Sequence, residues 1–143
     1  MEQKSTISQE ELINPIKGAI SYLDKAFLNK DIISEAINEE NYQVAWKEME
    51  NLISGIETLN ELLYHIKKLL DLDYEDLKYE GKSLSIYIED FNNFLKDDVL
   101  GAMENKDYVL VSDLINYELQ SYLKEYQKVF IFLFDYVSVM KVS

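Results

Sequence analysis

From Tyr42 to Leu70, apolar side chains recur at Tyr42, Ala45, Met49, Leu52, Ile56, Leu59, Leu63, Ile66 and Leu70. The steps alternate between three and four without a break, which is the spacing of one seam along an α-helix. Trp46, Ile53, Leu62 and Leu69 flank the seam and widen it to a broad stripe. A helix of this kind draws its stability from packing, so the rest of the chain must supply surfaces that cover it.

The flanking segments are read the same way. Residues 1–7 form a polar, frayed tail. Ser8 with Glu11 fits a capping box, and Asn14 before Pro15 fits a cap with proline at the first helical position. Leu12, Ile16, Ile20, Leu23 and Phe27 predict a first helix over 9–29, with Pro15 either kinking its second turn or opening a fresh helix. Asn29-Lys30-Asp31 breaks the pattern, and a short extra helical turn follows around 31–38, capped by Asp31. Glu39-Glu40-Asn41 then leads into the organising helix.

Asp71 to Glu80 reads as a loop entering a third helix, whose stripe holds Leu77, Gly81, Leu84, Ile88, Phe91, Leu95 and Ala102. Gly81 either permits close packing inside that helix or precedes a start near Ser83. The helix ends near Glu104, Asn105-Lys106 is the link, and Asp107 caps the next helix. That last helix carries Tyr108, Val111, Ile115, Leu119, Tyr122, Tyr126, Val129, Leu133, Tyr136 and Met140. Val129 to Phe134 is apolar all round, so this end is either deeply buried or part of an oligomer interface. The predicted fold is all-α: an antiparallel, up-down four-helix bundle forming one domain over 1–143.

Composition narrows the function. There are 143 residues with a net charge of −13, no Cys, four Gly and one Pro. Disulfides, thiolate metal sites and a cysteine nucleophile are excluded, and a reducing cytoplasm is the expected compartment. The polar N-terminus shows no signal peptide, and no apolar run reaches the length of a membrane span. All fourteen basic residues are Lys. Without Arg the bidentate fork for phosphate and guanine is missing, and the acidic field opposes nucleic acid and anionic membranes alike.

Two metal-binding patterns fail on spacing. A carboxylate-bridged di-metal bundle needs two Glu-x-x-His pairs, whereas His65 is the single His and Glu61 precedes it by four. His65 is therefore expected to be a partly exposed structural side chain. Asp71-Leu-Asp73-Tyr-Glu75-Asp76 begins like a calcium loop, but Asp76 and Lys82 occupy the positions where Gly and Glu are required. No catalytic residue, cofactor or metal site is assigned.

What remains is surface. From Asp71 through Asp107 there are eleven acids against four Lys, a net −7, so over half of the total charge lies in about a quarter of the chain. Asp71, Asp73, Glu75, Asp76, Glu89, Asp90, Asp97 and Asp98 are candidates for docking a basic partner. Phe130, Phe132 and Phe134 are candidates for self-association, including a homodimer. Of the eleven Tyr, Tyr22, Tyr42, Tyr87, Tyr122, Tyr126 and Tyr136 are expected at core edges with hydroxyls reaching water, and Tyr64, Tyr74, Tyr79 and Tyr117 more exposed.

The segment Glu104-Asn-Lys-Asp-Tyr-Val-Leu-Val-Ser-Asp-Leu-Ile-Asn-Tyr-Glu-Leu119, with Ala45-Trp46 before it, resembles small helical proteins of unknown function from low-GC Gram-positive bacteria. The resemblance implies no mechanism. In size, acidity and bundle shape the chain also resembles flagellar export chaperones, by analogy of fold alone. The expected function is a non-enzymatic protein–protein interaction module of adaptor, chaperone-like or inhibitor-like kind. The alternatives are a structural homo-oligomer and, less favoured, a small-molecule or metal-dependent enzyme in the bundle core.

Overall fold

The computed structural model describes the backbone of residues 2–140 and the side chains of residues 11–139. The fold is all-α, with four long helices among the described residues. Helix α1 is Glu2–Asn38 and α2 is Tyr42–Leu70. A two-stranded hairpin follows, β1 (Lys78–Tyr79) and β2 (Lys82–Ser83). Helix α3 spans 84–104 and α4 spans 108–140. The organising seam is buried as its spacing predicts, from Ala45 through Ile66, and Leu69 alone of its flanking residues is exposed.

The first helix departs from the expected 9–29. It starts at Glu2, within the segment read as a tail and ahead of the capping-box start at Ser8, and runs through Pro15 and the Asn29-Lys30-Asp31 triplet. No separate turn at 31–38 is needed, because Leu23, Ala26, Ile33 and Ile37 are buried on one continuous face. Lys30 fills the gap in that face: its side chain is only 16% exposed, and its ammonium reaches Asp31 at 3.3 Å.

Helix ends explain how so little glycine suffices. Asn41 N–H donates to the Ala36 carbonyl (2.7 Å) and Glu40 N–H to that of Ile37 (2.9 Å), which is a Schellman cap with Glu40 at φ 60°. Lys106, at φ 56°, closes α3 in the same way, with Asp107 N–H on the Ala102 carbonyl at 2.9 Å. Asp71, at φ 55°, takes the left-handed position after α2. Each of these positions favours glycine, and each holds a charged residue instead.

The expected loop at 71–80 contains a hairpin that periodicity missed. Glu80 (φ 54°) and Gly81 (φ 84°) are its two central residues, both left-handed as a type I′ turn requires. Gly81 therefore lies outside α3, and Ser83 caps that helix by accepting from Ile86 N–H at 3.4 Å. Asp107 caps α4 by accepting from Leu110 N–H at 3.1 Å, as its spacing predicts.

Each of α3 and α4 contains a π turn, at Phe94–Val99 and Leu114–Glu118. Leu100 N–H donates to the Leu95 carbonyl, and Leu119 N–H to that of Leu114, five residues back in each case. The widened turns let consecutive residues both reach the core: Phe94 with Leu95, and Leu114 with Ile115. The stripe on α4 then advances to Leu123, Tyr126, Phe130, Leu133 and Val137. Tyr122 and Tyr136, placed on the stripe from sequence, are consequently half-buried.

Helix α1 packs along both α2 and α4, and α3 packs along α4. Lys17 meets Phe134, Asp24 meets Gln127 and Ser34 meets Asn116, so numbers fall along α4 as they rise along α1. Phe91 meets Tyr126 and Phe94 meets Tyr122 in the same opposed sense across α3 and α4. A polar knot crosses the middle of the molecule. Asn60 Nδ2 donates to Asn92 Oδ1 at 2.7 Å, and Tyr126 Oη donates to Asn60 Oδ1 at 2.6 Å.

Candidate functional site

The hairpin, α3 and the first half of α4 enclose a cleft of about 340 Å³ lined by Lys82, Tyr87, Asp90, Tyr117, Glu118, Ser121, Tyr122 and Glu125. Lys82 arrives on β2, Tyr87 and Asp90 on α3, and Tyr117 and Glu118 on the π turn of α4. Ser121, Tyr122 and Glu125 follow one and two turns later on α4. π turns are frequent at functional sites because they re-aim side chains without ending the helix.

Charge in the cleft is unbalanced, with three carboxylates against one ammonium, a net of −2. Glu125 is shared: its Oε1 lies 3.4 Å from Lys82 Nζ and its Oε2 lies 2.9 Å from Lys128 Nζ. Lys128 also reaches Glu80 at 2.8 Å, which pins the hairpin to α4. Partial burial alone would raise the Glu125 carboxyl, but the hydrogen bonds from Lys128 and Lys82 outweigh it and hold the group below its ordinary value. Among the described residues, no cation stands within ion-pair distance of Asp90 or Glu118. Tyr122 reports the resulting field. Its hydroxyl is pushed up by burial first, then by the Glu118, Asp98 and Asp90 carboxylates.

The walls are aromatic. Tyr117 is 78% exposed at the mouth, and Tyr122 stacks on Phe94 with ring centroids 4.2 Å apart. Tyr87 forms the floor, its Oη donating to the Tyr79 carbonyl at 2.8 Å and its ring lying 4.5 Å beneath Lys82 Nζ. Tyrosine faces beside carboxylates suit a cation, which gains from both the ring quadrupole and the charge.

The residues singled out from sequence do not all converge here. Asp90 lines the cleft, while Glu89, exposed beside it on the same helix, stands outside the lining. Asp97 and Asp98 border a separate hollow with Gly101, Asn105 and Leu110. The loop acids serve the backbone in part: Asp71 takes the left-handed position after α2, and Asp73 Oδ1 accepts from Glu75 N–H at 3.0 Å, an Asx turn. Glu75 and Asp76 are exposed on that loop. Among the described residues, no three His, Asp or Glu side chains come together as a group able to hold a metal.

The apolar end of α4 is largely consumed by the fold. Phe130 is fully buried and meets Tyr126 edge to face, so it offers no surface for a partner, contrary to its reading as an interface residue. Phe132 is half-buried against Tyr79 of the hairpin, and the Phe134 ring lies 5.9 Å from Lys17 Nζ. Other tyrosine expectations also change: Tyr87, expected at a core edge with its hydroxyl reaching water, is buried with that hydroxyl on the Tyr79 carbonyl. Tyr74 is buried, and its hydroxyl donates to the Leu63 carbonyl at 2.6 Å. Tyr126 ends in the core on Asn60 rather than in water. Burial pushes both hydroxyls well above the ordinary tyrosine value. His65 is exposed beside Tyr64, outside the cleft.

Sequence reasoning missed Lys82, Glu118, Ser121 and Glu125. A signal was present: Glu118, Tyr122 and Glu125 recur at steps of four and three along α4. Pairing them with Asp90 and Lys82 required the tertiary fold. No helix of the described residues is long and apolar enough to cross a membrane. No curated protein and no solved structure matches the chain. One family model covers residues 14–129, and by that match the chain belongs to the family described as a domain of unknown function (DUF8042).

Proposed function

We propose that this protein is a non-enzymatic interaction module of the cytoplasm, an antiparallel four-helix bundle that docks a basic protein partner through the cleft between α3 and α4. One observation carries the reading: three carboxylates and three tyrosines converge on a cleft that holds a single ammonium. A cleft of net negative charge attracts cations over a Debye length and orients them on arrival. Tyrosine supplies contact area at low entropic cost, which is why it is enriched at interfaces. The opposed numbering along α1 and α4, and along α3 and α4, supports the up-down arrangement of the bundle.

The burial of Phe130 weighs against self-association through that ring. The acids of the 71–76 loop stand outside the cleft lining, so their role is to strengthen the long-range field rather than to seat a ligand.

The test is fluorescence anisotropy with a labelled peptide of alternating lysine and glycine, at low and at physiological salt. Binding weakens as salt rises. The double change Asp90→Lys with Glu118→Lys abolishes it, whereas Asp71→Lys with Glu75→Lys leaves most of it. Equal losses from the two pairs would reduce the effect to net charge and overturn the cleft as the site.

A further inference from the structure

The cleft already holds an ammonium, and the geometry around it describes how a ligand would sit. Lys82 Nζ lies 4.5 Å above the Tyr87 ring and 3.4 Å from Glu125 Oε1. Tyr87 is 2% exposed, so the ring that forms the floor is covered by the protein's own chain. The type I′ turn at Glu80-Gly81 puts Lys82 there, since Lys82 is the first residue of β2 and pairs with Tyr79 across the turn.

Lys82 is held loosely. Its contact to Glu125 is longer than the roughly 2.7–2.9 Å of a strong charge-assisted bond, and its side chain is 44% exposed. Glu125 keeps Lys128 at 2.9 Å when Lys82 leaves, so departure strands no carboxylate. The hairpin likewise stays anchored through Lys128 and Glu80 at 2.8 Å. Displacing the Lys82 head therefore breaks one weak ion pair and one cation–π contact, and both are re-made by an incoming ammonium. Asp90 and Glu118 line the same cleft with no cation of their own among the described residues, so a partner with more than one lysine can pair them while one of its ammoniums takes the place of Lys82.

Building on the docking reading above, we infer that Lys82 is an internal occupant of the cleft, which a lysine side chain of the partner displaces from the Tyr87 face. The site thus reads a primary ammonium, and Lys82 sets a threshold that a single weak cation does not cross.

Two measurements on the intact protein test this. In the first, the lysine–glycine peptide and its fully acetylated form are titrated into wild type, Lys82→Met and Lys78→Met. Lys78, exposed on β1 outside the cleft lining, controls for loss of one positive charge. Lys82→Met binds the unmodified peptide ~3- to 10-fold more tightly, in line with one cation–π contact of a competitor removed; Lys78→Met changes little, and the acetylated peptide binds none of the three. In the second, lysines carrying 13C-methyl groups are followed by NMR. The Lys82 signal, moved upfield by the Tyr87 ring and assigned through Lys82→Arg, returns to the position of a free lysine as peptide is added.

The outcomes separate the two readings. Equal peptide affinity for wild type and Lys82→Met, with the Lys82 signal unmoved, overturns the displacement and leaves the docking site standing. No binding to any of the three proteins overturns both.

Discussion

The two helical hairpins of this molecule solve the same packing problem with different residues. Along α1 and α2 the buried side chains are aliphatic, Ile16, Leu23, Ile33, Met49, Leu52 and Ile56 among them with Ala19, Ala26, Ala36 and Ala45 between, and Gly55 lies directly against the Tyr22 hydroxyl. Between α3 and α4 the core is aromatic, with Tyr87, Phe91, Phe94, Tyr126 and Phe130 all buried. Where Gly55 meets Tyr22 the first pair of helices comes close. Large rings hold helices apart, and both π turns and the acidic cleft fall in the aromatic half. The first hairpin is thus the scaffold, and the second carries the cleft proposed to read a partner.

The comparison is open to direct attack, beginning where the effect is largest. Phe91 contacts Tyr122 and Tyr126 from the centre of the aromatic half. Phe91→Ala is expected to cost about 3–5 kcal/mol in urea unfolding, as full burial and a residual cavity dictate. Tyr126→Phe removes one hydrogen bond and no volume, leaving Asn60 with a weakened partner set. Its expected cost is about 1–2 kcal/mol, read by the same melts.

The aliphatic half gives a test of sign. Gly18 has open space around the position of a Cβ, whereas a Cβ on Gly55 would collide with the Tyr22 hydroxyl. Gly18→Ala is expected to stabilise by roughly 0.5–1 kcal/mol through helix propensity. Gly55→Ala forfeits the same gain to overpacking and destabilises by about 1 kcal/mol net. If both substitutions stabilise, α1 and α2 do not pack as closely as described.

The smallest effect is pH-dependent. The Glu125 carboxyl is held below its ordinary value by its two lysines, so the network stabilises the fold above the unfolded pKa of 4.5 and loses that contribution as pH falls through the lowered value. Urea midpoints of wild type and Glu125→Gln should accordingly differ at pH 7 and converge near pH 3. A gap that stays constant across that range would remove Glu125 from the network.

How much of this was legible in the sequence follows from the same contrast. The seam of α2 reads directly because each turn places one apolar residue inward, and its limits at Tyr42 and Leu70 coincide with those in the structure. Asp107 reads equally well, since a cap is a local hydrogen bond, whereas the start near Ser83 stands open in the sequence against a helix running through Gly81. The continuation of α1 through Asn29-Lys30-Asp31 was hidden because Lys30 looks polar in sequence while its aliphatic stem fills a core position. The π turns were hidden because a strict three-and-four count cannot show an inserted residue. It therefore placed Tyr122 on the stripe, where Leu123 belongs. The hairpin escaped because two-residue strands leave no alternation to detect. Asp90 was visible as an acid, but its meeting with Glu118 and Glu125 depends on how α3 packs on α4.

The most direct test of the central claim is a 1H–15N chemical-shift titration of the intact protein with the lysine–glycine peptide at physiological salt. The account predicts shifts concentrated at Lys82, Asp90, Tyr117, Glu118, Ser121 and Glu125, with the α1–α2 hairpin silent. Shifts centred on the 71–76 loop, or spread evenly over the acidic surface, would contradict it and leave the cleft without a role in recognition.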